Sequence, residues 1–554
     1  MHDKYADYDV EWSKIEALYG EAQTSFSQMQ YLLQEATRLS VAGRDYFYEW
    51  SPDSGLDKQR YIFDNTAKEA AWDFVNSLEE LVFPEQFVTF EVGENVPLKR
   101  RPQMALELQR LTAEYHQLLG QTSFKTAVTE ALTDVAVSTG FIEIHENRTG
   151  YNLQNPISFH CSPMCKTYFT EVNGLIVNTW REQNAKFGSL KTQYSFIDWS
   201  GTDSKDGDLV TLMDCCVYQP RNDIDFAPFV YYIAESKGTA VGNVLYCERR
   251  SYPTRFGFGT DKYPIGTYRE GQILKILPTI RMANGIAEMN WIAIQYNSMP
   301  IMMYDPTRFE NPALVRIVPG AQLKINNLSE NPLGGQSPPA APIPFQLNAE
   351  ASQLQLQQLK NQIQTALFSI GPPDAPVRSA TEINLQSSAR RQGLGRICRR
   401  LRPELVDQLV MYSVKAFRRM GYLVRDNPTE SFILNGGDIT LRYNNIFTNA
   451  DYLETVNNIN TYRESLQPWV GPQLSMQSVD LSKLPDELAK RLNLPAGLVK
   501  TPEEIEAIIQ AAQQATQQAA QQAQTSNITQ LSQAQAQAHQ PVLPSPTGPL
   551  SGVA

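Results

Sequence analysis

The side chains that most often carry chemistry are sparse in this chain and poorly spaced for it. His160-Cys161 and Cys165 bring soft donors together, but no second ligand pair stands at zinc spacing, and the remaining histidines are His2, His116, His145 and His539. These residues read as core or loop positions. Asp203, Asp206 and Asp208 resemble the start of a calcium loop, yet Lys205 intrudes and no glutamate closes it, so a polar turn is favoured. A nucleotide-driven motor needs a glycine-rich phosphate cradle with lysine, and no Gly-Lys pair occurs anywhere. Gly257-Phe258-Gly259 and Gly393-Leu394-Gly395 lack the third glycine of a dinucleotide loop and read as turn and packing glycines. Neither a Gly-x-Ser-x-Gly elbow nor a His-Glu-x-x-His helix is present. The chain is therefore read as a non-enzyme that needs no cofactor and no metal.

One charge cluster stands out. Arg390, Arg391, Arg396, Arg399, Arg400 and Arg402 follow one another without an acid until Glu404. At about 100° per residue they spread around a helix instead of forming one stripe. Two readings stay open: pairing with carboxylates within or between subunits, and direct contact of some of them with phosphates.

The bulk numbers bound what these residues can serve. With 554 residues, 42% apolar and 19% charged, the chain is an ordinary folded protein with several subdomains. A net charge of −11 and a pI near 5.2 disfavour tight DNA binding, although a conduit that lets DNA slide gains from weak attraction. No run of about 18 apolar residues occurs, so neither a membrane anchor nor a secreted chain is expected. Six cysteines, two of them the adjacent Cys215 and Cys216, suit reduced thiols better than a disulfide framework.

Helical spacing covers 9–41, 63–82 with Asn65-Thr66 as cap, Gln103 to Leu119, and Ser123 to Thr139 ended by Gly140. From Phe141 to Glu248 short β-branched and aromatic runs take over, including Phe141 to Ile144, Leu209 to Tyr218, Phe229 to Ile233 and Val244 to Cys247. The fold class is thus α+β, mainly helical with a β-rich insert. Residues 271–299 read as one helix whose apolar surface runs nearly all round, which requires cover from its own chain or from neighbouring copies. The next 47 residues, 300–346, hold nine prolines and only two strand-like runs, Leu314 to Val318 and Gln322 to Ile325, and read as a projecting subdomain.

A second amphipathic helix carries Leu356, Leu359, Ile363, Leu367 and Ile370 on one side. Gln353, Gln355, Gln357, Gln358, Asn361, Gln362 and Gln364 fill the other, with Lys360 the only charge from Gln353 to Ile370. This polar side is either a solvated helix face or an uncharged wall that passes DNA without holding it. Gly371-Pro372-Pro373-Asp374-Ala375-Pro376-Val377-Arg378 breaks the helix, and Ser379 with Glu382 forms a capping box for the next one. That helix carries Leu394, Ile397, Leu401, Leu405 and Leu409 to Gly421, with Pro403 predicting a kink at Arg402. A strand over Ile439 to Tyr443, a helix from about Asn449 to Glu464, and a helix capped at Thr501-Pro502 that runs into alanine and glutamine complete the chain.

Helix, proline-rich projection, helix, short Gly/Pro loop and long kinked helix together resemble the stem, clip, stem, tunnel loop and inner wing of portal proteins of short-tailed bacteriophages. Ser379-Ala380-Thr381-Glu382-Ile383, Arg402-Pro403-Glu404-Leu405 and Gly421-Tyr422-Leu423 resemble the segment after the tunnel loop, and Asp64-Asn65-Thr66-Ala67 through Phe83-Pro84 resembles the N-terminal wing. Tyr252-Pro253-Thr254-Arg255-Phe256 precedes the first stem helix as in that family. The resemblance implies a wing at 1–270, stem helices at 271–299 and 347–370, a clip at 300–346, a tunnel loop at 371–378, an inner wing at 379–469, a crown at 470–524 and a tail at 525–554.

The family implies a ring of twelve copies at one capsid vertex, through which double-stranded DNA passes without sequence preference. It also implies assembly in the host cytoplasm with scaffolding and major capsid proteins, contact with internal core proteins, and docking of the terminase large subunit and later the tail adaptor. On this chain, docking would fall to the clip, including Arg308, Arg316 and Lys324, and the channel wall to Gln353, Gln357, Lys360, Asn361 and Gln364. Residues 371–378 would approach the DNA. Rival readings are a tail adaptor or tube subunit, which should lack two stem helices around a clip, and a packaging enzyme, against which the missing phosphate cradle counts.

Overall fold

The computed structural model describes residues 9–45, 59–93, 101–146, 156–199, most of 202–262, 268–298, 349–369, 393–423 and 439–444, with short pieces at 47, 96–97, 302–304, 340–342, 461–462 and 465. The chain divides into two compact units, Met1–Phe447 and Thr448–Ala554. Thr461, Tyr462 and Ser465 of the second are helical; among the described residues, every strand and every longer helix belongs to the first.

Helix α1 (Trp12–Ser40) buries Ile15, Tyr19, Ala22, Phe26, Met29, Leu33 and Ala36, a stripe at alternating steps of four and three. Helix α2 (Thr66–Val82) and strand β1 (Val88–Val92) come next, then α3 (Arg101–Gly120) and α4 (Phe124–Val137). Asn65 precedes α2 as expected but makes no side-chain cap bond; Thr66 Oγ1 instead donates to Asp64 Oδ1 at 3.2 Å. Ser123 does not cap α4 either, because its hydroxyl is taken by the Phe159 backbone, donating to the carbonyl at 2.6 Å and accepting from the N–H at 3.0 Å.

Gly140, expected to stop this helix, lies inside β2 (Thr139–Glu146), two residues beyond the Ser138 end cap. A Cβ there would stand 2.4 Å from the Ala131 carbonyl oxygen, so the glycine serves close packing of the strand on α4.

The sheet continues with β3 (Ile157–Cys161), β4 (Thr167–Val172), β5 (Leu175–Lys186), helix α5 (Phe187–Gln193), β6 (Leu209–Tyr218), β7 (Phe229–Glu235), β8 (Asn243–Arg250) and β9 (Arg255–Gly259). Its eight strands run β3-β2-β9-β5-β6-β7-β8, with β4 paired to β5, and every pairing is antiparallel. Both faces are covered. Ile15, Tyr19 and Ala22 of α1 pack on Trp180, Cys215 and Tyr232, while Phe187 and Leu190 of α5 pack on Leu212, Tyr231 and Ile233. Adjacent Cys215 and Cys216 point to opposite faces of β6 and enter different clusters, and none of the six cysteines is in a disulfide.

Short strands β10 (Asp261–Lys262) and β11 (Arg269–Glu270) lead to α6 (Gln272–Lys275) and α7 (Leu277–Ser298). The single helix expected over 271–299 is therefore broken at Ile276, where Pro278 opens the second piece and needs no helical N–H. Strands β12 (Met302–Tyr304) and β13 (Ala340–Pro342) pair antiparallel; the rest of 300–346, with the runs expected at Leu314 and Gln322, lies outside the described residues.

Helix α8 (Ala349–Ala366) packs on α7 and α2. Residues 393–401 form α9, which passes through a π-helical turn (Arg402–Val406) into α10 (Asp407–Arg419). The turn begins where Pro403 predicts the kink, since proline has no N–H for the i−4 carbonyl and its ring crowds it. Strand β14 (Ile439–Tyr443) pairs with β1, closing a ribbon over more than 300 residues of sequence.

Candidate functional site

Helices α7 and α8 are fixed to the body by polar clamps. Arg281 Nε and Nη2 donate to the two Glu35 carboxylate oxygens of α1, each at 2.7 Å. Asn284 accepts N–H bonds from Phe63 at 2.8 Å and Asp64 at 3.3 Å and donates to the Tyr61 carbonyl at 2.9 Å. Ser352 of α8 donates to Asn290 of α7 at 2.7 Å, and Ser369 donates to Asp73 of α2 at 2.6 Å.

The apolar surface of α7 is only partly covered by the described residues of this chain. Ile280, Ala283 and Ala293 are buried, whereas Met282, Met289, Trp291 and Ile294 are 58%, 66%, 52% and 63% exposed. At 3.6 residues per turn, Met282 and Met289 fall on one side and Trp291 on the other, about 160–180° away. Leu354 of α8 is also exposed.

On α8, Ile363 is buried and Leu356 and Leu359 half-buried, and Leu367 just past its end is buried, so the apolar stripe faces inward. Gln353, Gln357 and Asn361 are exposed and Gln364 half-buried. Gln357 Nε2 donates to Asn361 Oδ1 at 3.2 Å along this side. Lys360, on the same helix, is ion-paired: its Nζ meets Asp64 Oδ1 at 2.7 Å, and the Asp64 side chain is nearly buried.

Among the arginines, Arg396, Arg399 and Arg402 are exposed, and Arg402 lies over the Tyr443 ring at 4.2 Å. Arg400 pairs with Glu404 at 3.2 Å, one turn on. Glu404 also binds Arg269 at 3.3 Å and accepts the Gly259 N–H at 3.3 Å, tying the π turn to the sheet; burial lifts its carboxyl above the ordinary range against these donors. Asp261 is held low, first by the hydrogen bond from Lys275, with Arg396 and Arg400 adding to the effect. Intraprotein pairing therefore accounts for Arg400. Arg390, Arg391, residues 371–378, Arg308, Arg316 and Lys324 lie outside the described residues.

The sequence reading missed a buried ionic row inside the sheet. Glu143 of β2 receives Arg255 of β9 at 2.6 Å, Arg181 of β5 at 2.7 Å and His145 at 2.8 Å. Arg255 also reaches Asp214 of β6, whose Oδ2 accepts the Tyr194 hydroxyl at 3.3 Å. Burial pushes the Glu143 carboxyl up, but Arg181, Arg255 and His145 outweigh it and hold it well below the usual carboxylate range. A signal was present: charged residues stand inside runs such as Phe141 to Ile144 whose neighbours are all apolar.

Among the described residues, no cluster of three or more His, Cys, Asp or Glu side chains is placed to hold a metal ion. His160 is exposed on β3, while Cys161 lies 3.0 Å from Arg44 Nη2. Asp206 pairs with Lys191 at 3.2 Å and Asp208 accepts the Lys205 N–H at 2.8 Å, so these two belong to a turn; Asp203 is outside the described residues. Among the described residues no helix is long and apolar enough to cross a membrane.

Compared with known proteins, residues 13–499 match a family model described as bacteriophage head to tail connecting protein. No curated protein matches the chain.

Proposed function

This chain belongs to the bacteriophage head-to-tail connecting proteins, and from that premise we propose that it is the portal subunit, whose copies close into a ring of twelve around the DNA channel. As a connector it is a structural virion component at the junction of head and tail. In the proposed reading the ring sits at one capsid vertex and serves packaging, retention and ejection of double-stranded DNA. Residues 300–346, with Arg308, Arg316 and Lys324, dock the terminase and then the tail adaptor. Residues 371–378 approach the duplex, and the glutamine side of α8 faces it.

The observation that carries the step from connector to ring is the pair of exposed apolar sites on opposite sides of α7, Met282 with Met289 and Trp291. Cyclic association joins two different surfaces of one subunit head to tail, so a ring former needs sticky surfaces on both flanks. The wall assignment is supported by Lys360, whose charge Asp64 already neutralises, so that exposed Gln353, Gln357 and Asn361 stand beside no unpaired cation of that helix side.

Imaging and mass measurement of the purified protein test this reading, with wide closed rings around a central hole expected. Met289→Glu and Trp291→Glu should each abolish rings, while an equal mixture should stop at pairs, each joined through its one intact surface. A protein that stays single, with or without scaffold, overturns the proposal. Deleting residues 371–378 should leave rings intact and impair packaging or retention; Arg399→Glu with Arg400→Glu should weaken assembly or packaging.

A further inference from the structure

The buried ionic row ends, at the outer edge of the sheet, in two histidines. His145 on β2 and His160 on β3 have ring centroids 5.3 Å apart. His145 Nε2 donates to Glu143 Oε2 at 2.8 Å, the oxygen that Arg181 reaches at 2.7 Å, and Arg255 holds the other oxygen at 2.6 Å. Among the described residues, the charged groups facing the pair are thus Glu143 from β2, Arg255 from β9 and Arg181 from β5, with Asp214 of β6 beyond them.

Two permanent cations already balance the two carboxylates of this row. A proton on His145 can still lean on Glu143, but a proton on His160 as well would sit against a charged ring with no carboxylate left to compensate it. Partial burial of its ring, then the neighbouring His145 and Arg181, hold His160 below the ordinary imidazole range, with Glu143 opposing. The strand that carries it is also an edge strand, since β3 pairs with β2 on one side and with no other strand of the described sheet. Its centre remains tethered, because the Phe159 N–H and carbonyl both bind the Ser123 hydroxyl.

We infer that the His145–His160 pair is a proton-sensitive clasp on the sheet edge: with no more than one proton it holds β3 to β2, and with two it loosens that strand locally. The clasp does not depend on the portal reading, and its test is separate from ring formation.

Amide hydrogen exchange of the full-length protein at about pH 7.5 and about pH 5.5 tests it. After correction for the intrinsic rate, residues 157–161 should lose protection by about tenfold or more at the lower pH while β6 and β7 keep theirs, and His160→Gln should remove the change. Unchanged protection in the wild type, an equal loss in His160→Gln, or an equal loss in β6 and β7 overturns the clasp. Should His160→Gln fail to fold, the imidazole resonances of the wild-type protein decide: the second proton should bind at least about tenfold more weakly than the first. Two independent, overlapping titrations count against the inference.

Discussion

Glu143 on β2 and Arg255 on β9 are direct register partners, and their side chains meet at 2.6 Å with 1% of each exposed. With both faces of the sheet covered, neither charge reaches water, and each is tolerable only against opposite charge. The pair also fixes register: a slip of one residue would turn Glu143 to the opposite face, away from Arg255, Arg181 and Asp214.

Removing one member should therefore cost far more than the pair is worth. Arg255→Met should destabilise by about 3–5 kcal/mol, because Glu143 and Asp214 would remain buried with Arg181 between them. Adding Glu143→Leu should give back part of that loss, a coupling of about 1–3 kcal/mol in a denaturant double-mutant cycle. Simply additive losses would mean that the two residues do not act on each other.

Three glycines separate close packing from mere flexibility. At Gly271 a Cβ would lie 2.3 Å from the Val137 oxygen and 2.4 Å from the Ala136 oxygen, and at Gly140 it would lie 2.4 Å from the Ala131 oxygen. These are backbone atoms of α4 and cannot swing aside, so Gly271→Ala and Gly140→Ala should each cost about 2 kcal/mol or more. Gly20, inside α1, has no atom within 4 Å of its would-be Cβ, and Gly20→Ala should stabilise by about 0.5–1 kcal/mol. Chemical denaturation of the three variants measures both signs, and a destabilised Gly20→Ala would show that α1 is more crowded than its geometry implies.

Local features of this fold are legible in the sequence and long-range ones are not. The strand over Leu209–Tyr218 can be read residue for residue, because Val210, Thr211, Leu212 and Val217 favour an extended chain that Pro220 then stops. The π turn is foreshadowed by Pro403, and the exposed apolar side of α7 by a helix with too many apolar faces. By contrast, nothing local says that Glu143 meets an arginine 112 residues later, or that Lys360 has a carboxylate waiting on α2's approach. Gly140 misleads for the same reason: a glycine that ends a helix and one that lets a strand touch it have the same local sequence. Of the candidate site, the amide side of α8 follows from composition, whereas the partner of each arginine is a tertiary property.

Acid should unlock the junction between β8 and α10. Glu248 accepts the Tyr246 hydroxyl at 2.7 Å, pairs with Arg250 at 3.4 Å and binds Arg419 of α10. Burial pushes its carboxyl up, but Arg250, Tyr246 and Arg419 prevail and hold it at about 2, against an ordinary 4.5. A carboxyl easier to ionise in the folded chain favours folding at neutral pH; that advantage is complete above about 4.5 and disappears as pH falls towards 2. Allowing for its partial exposure, the contribution is on the order of 1–2 kcal/mol. Glu248→Gln should lower stability at pH 7 by this order and leave a shallower loss between pH 4.5 and pH 3, read from denaturation midpoints. An acid limb identical to that of the wild type would remove Glu248 from the account.

Lys360 should prove a structural clamp before it is a surface charge. Its Nζ lies 2.7 Å from an Asp64 side chain that is 7% exposed, and among the described residues the other donor to that carboxylate is Thr66 at 3.2 Å. Lys360→Met leaves a nearly buried carboxylate with a single hydroxyl, and should cost about 1–3 kcal/mol and raise exchange of the α8 amides. Combining it with Asp64→Asn removes the stranded charge, so more than half of the loss should return. If Lys360→Met matches the wild type in both stability and exchange, the leucine and isoleucine stripe alone seats α8, and Asp64 must be finding solvent.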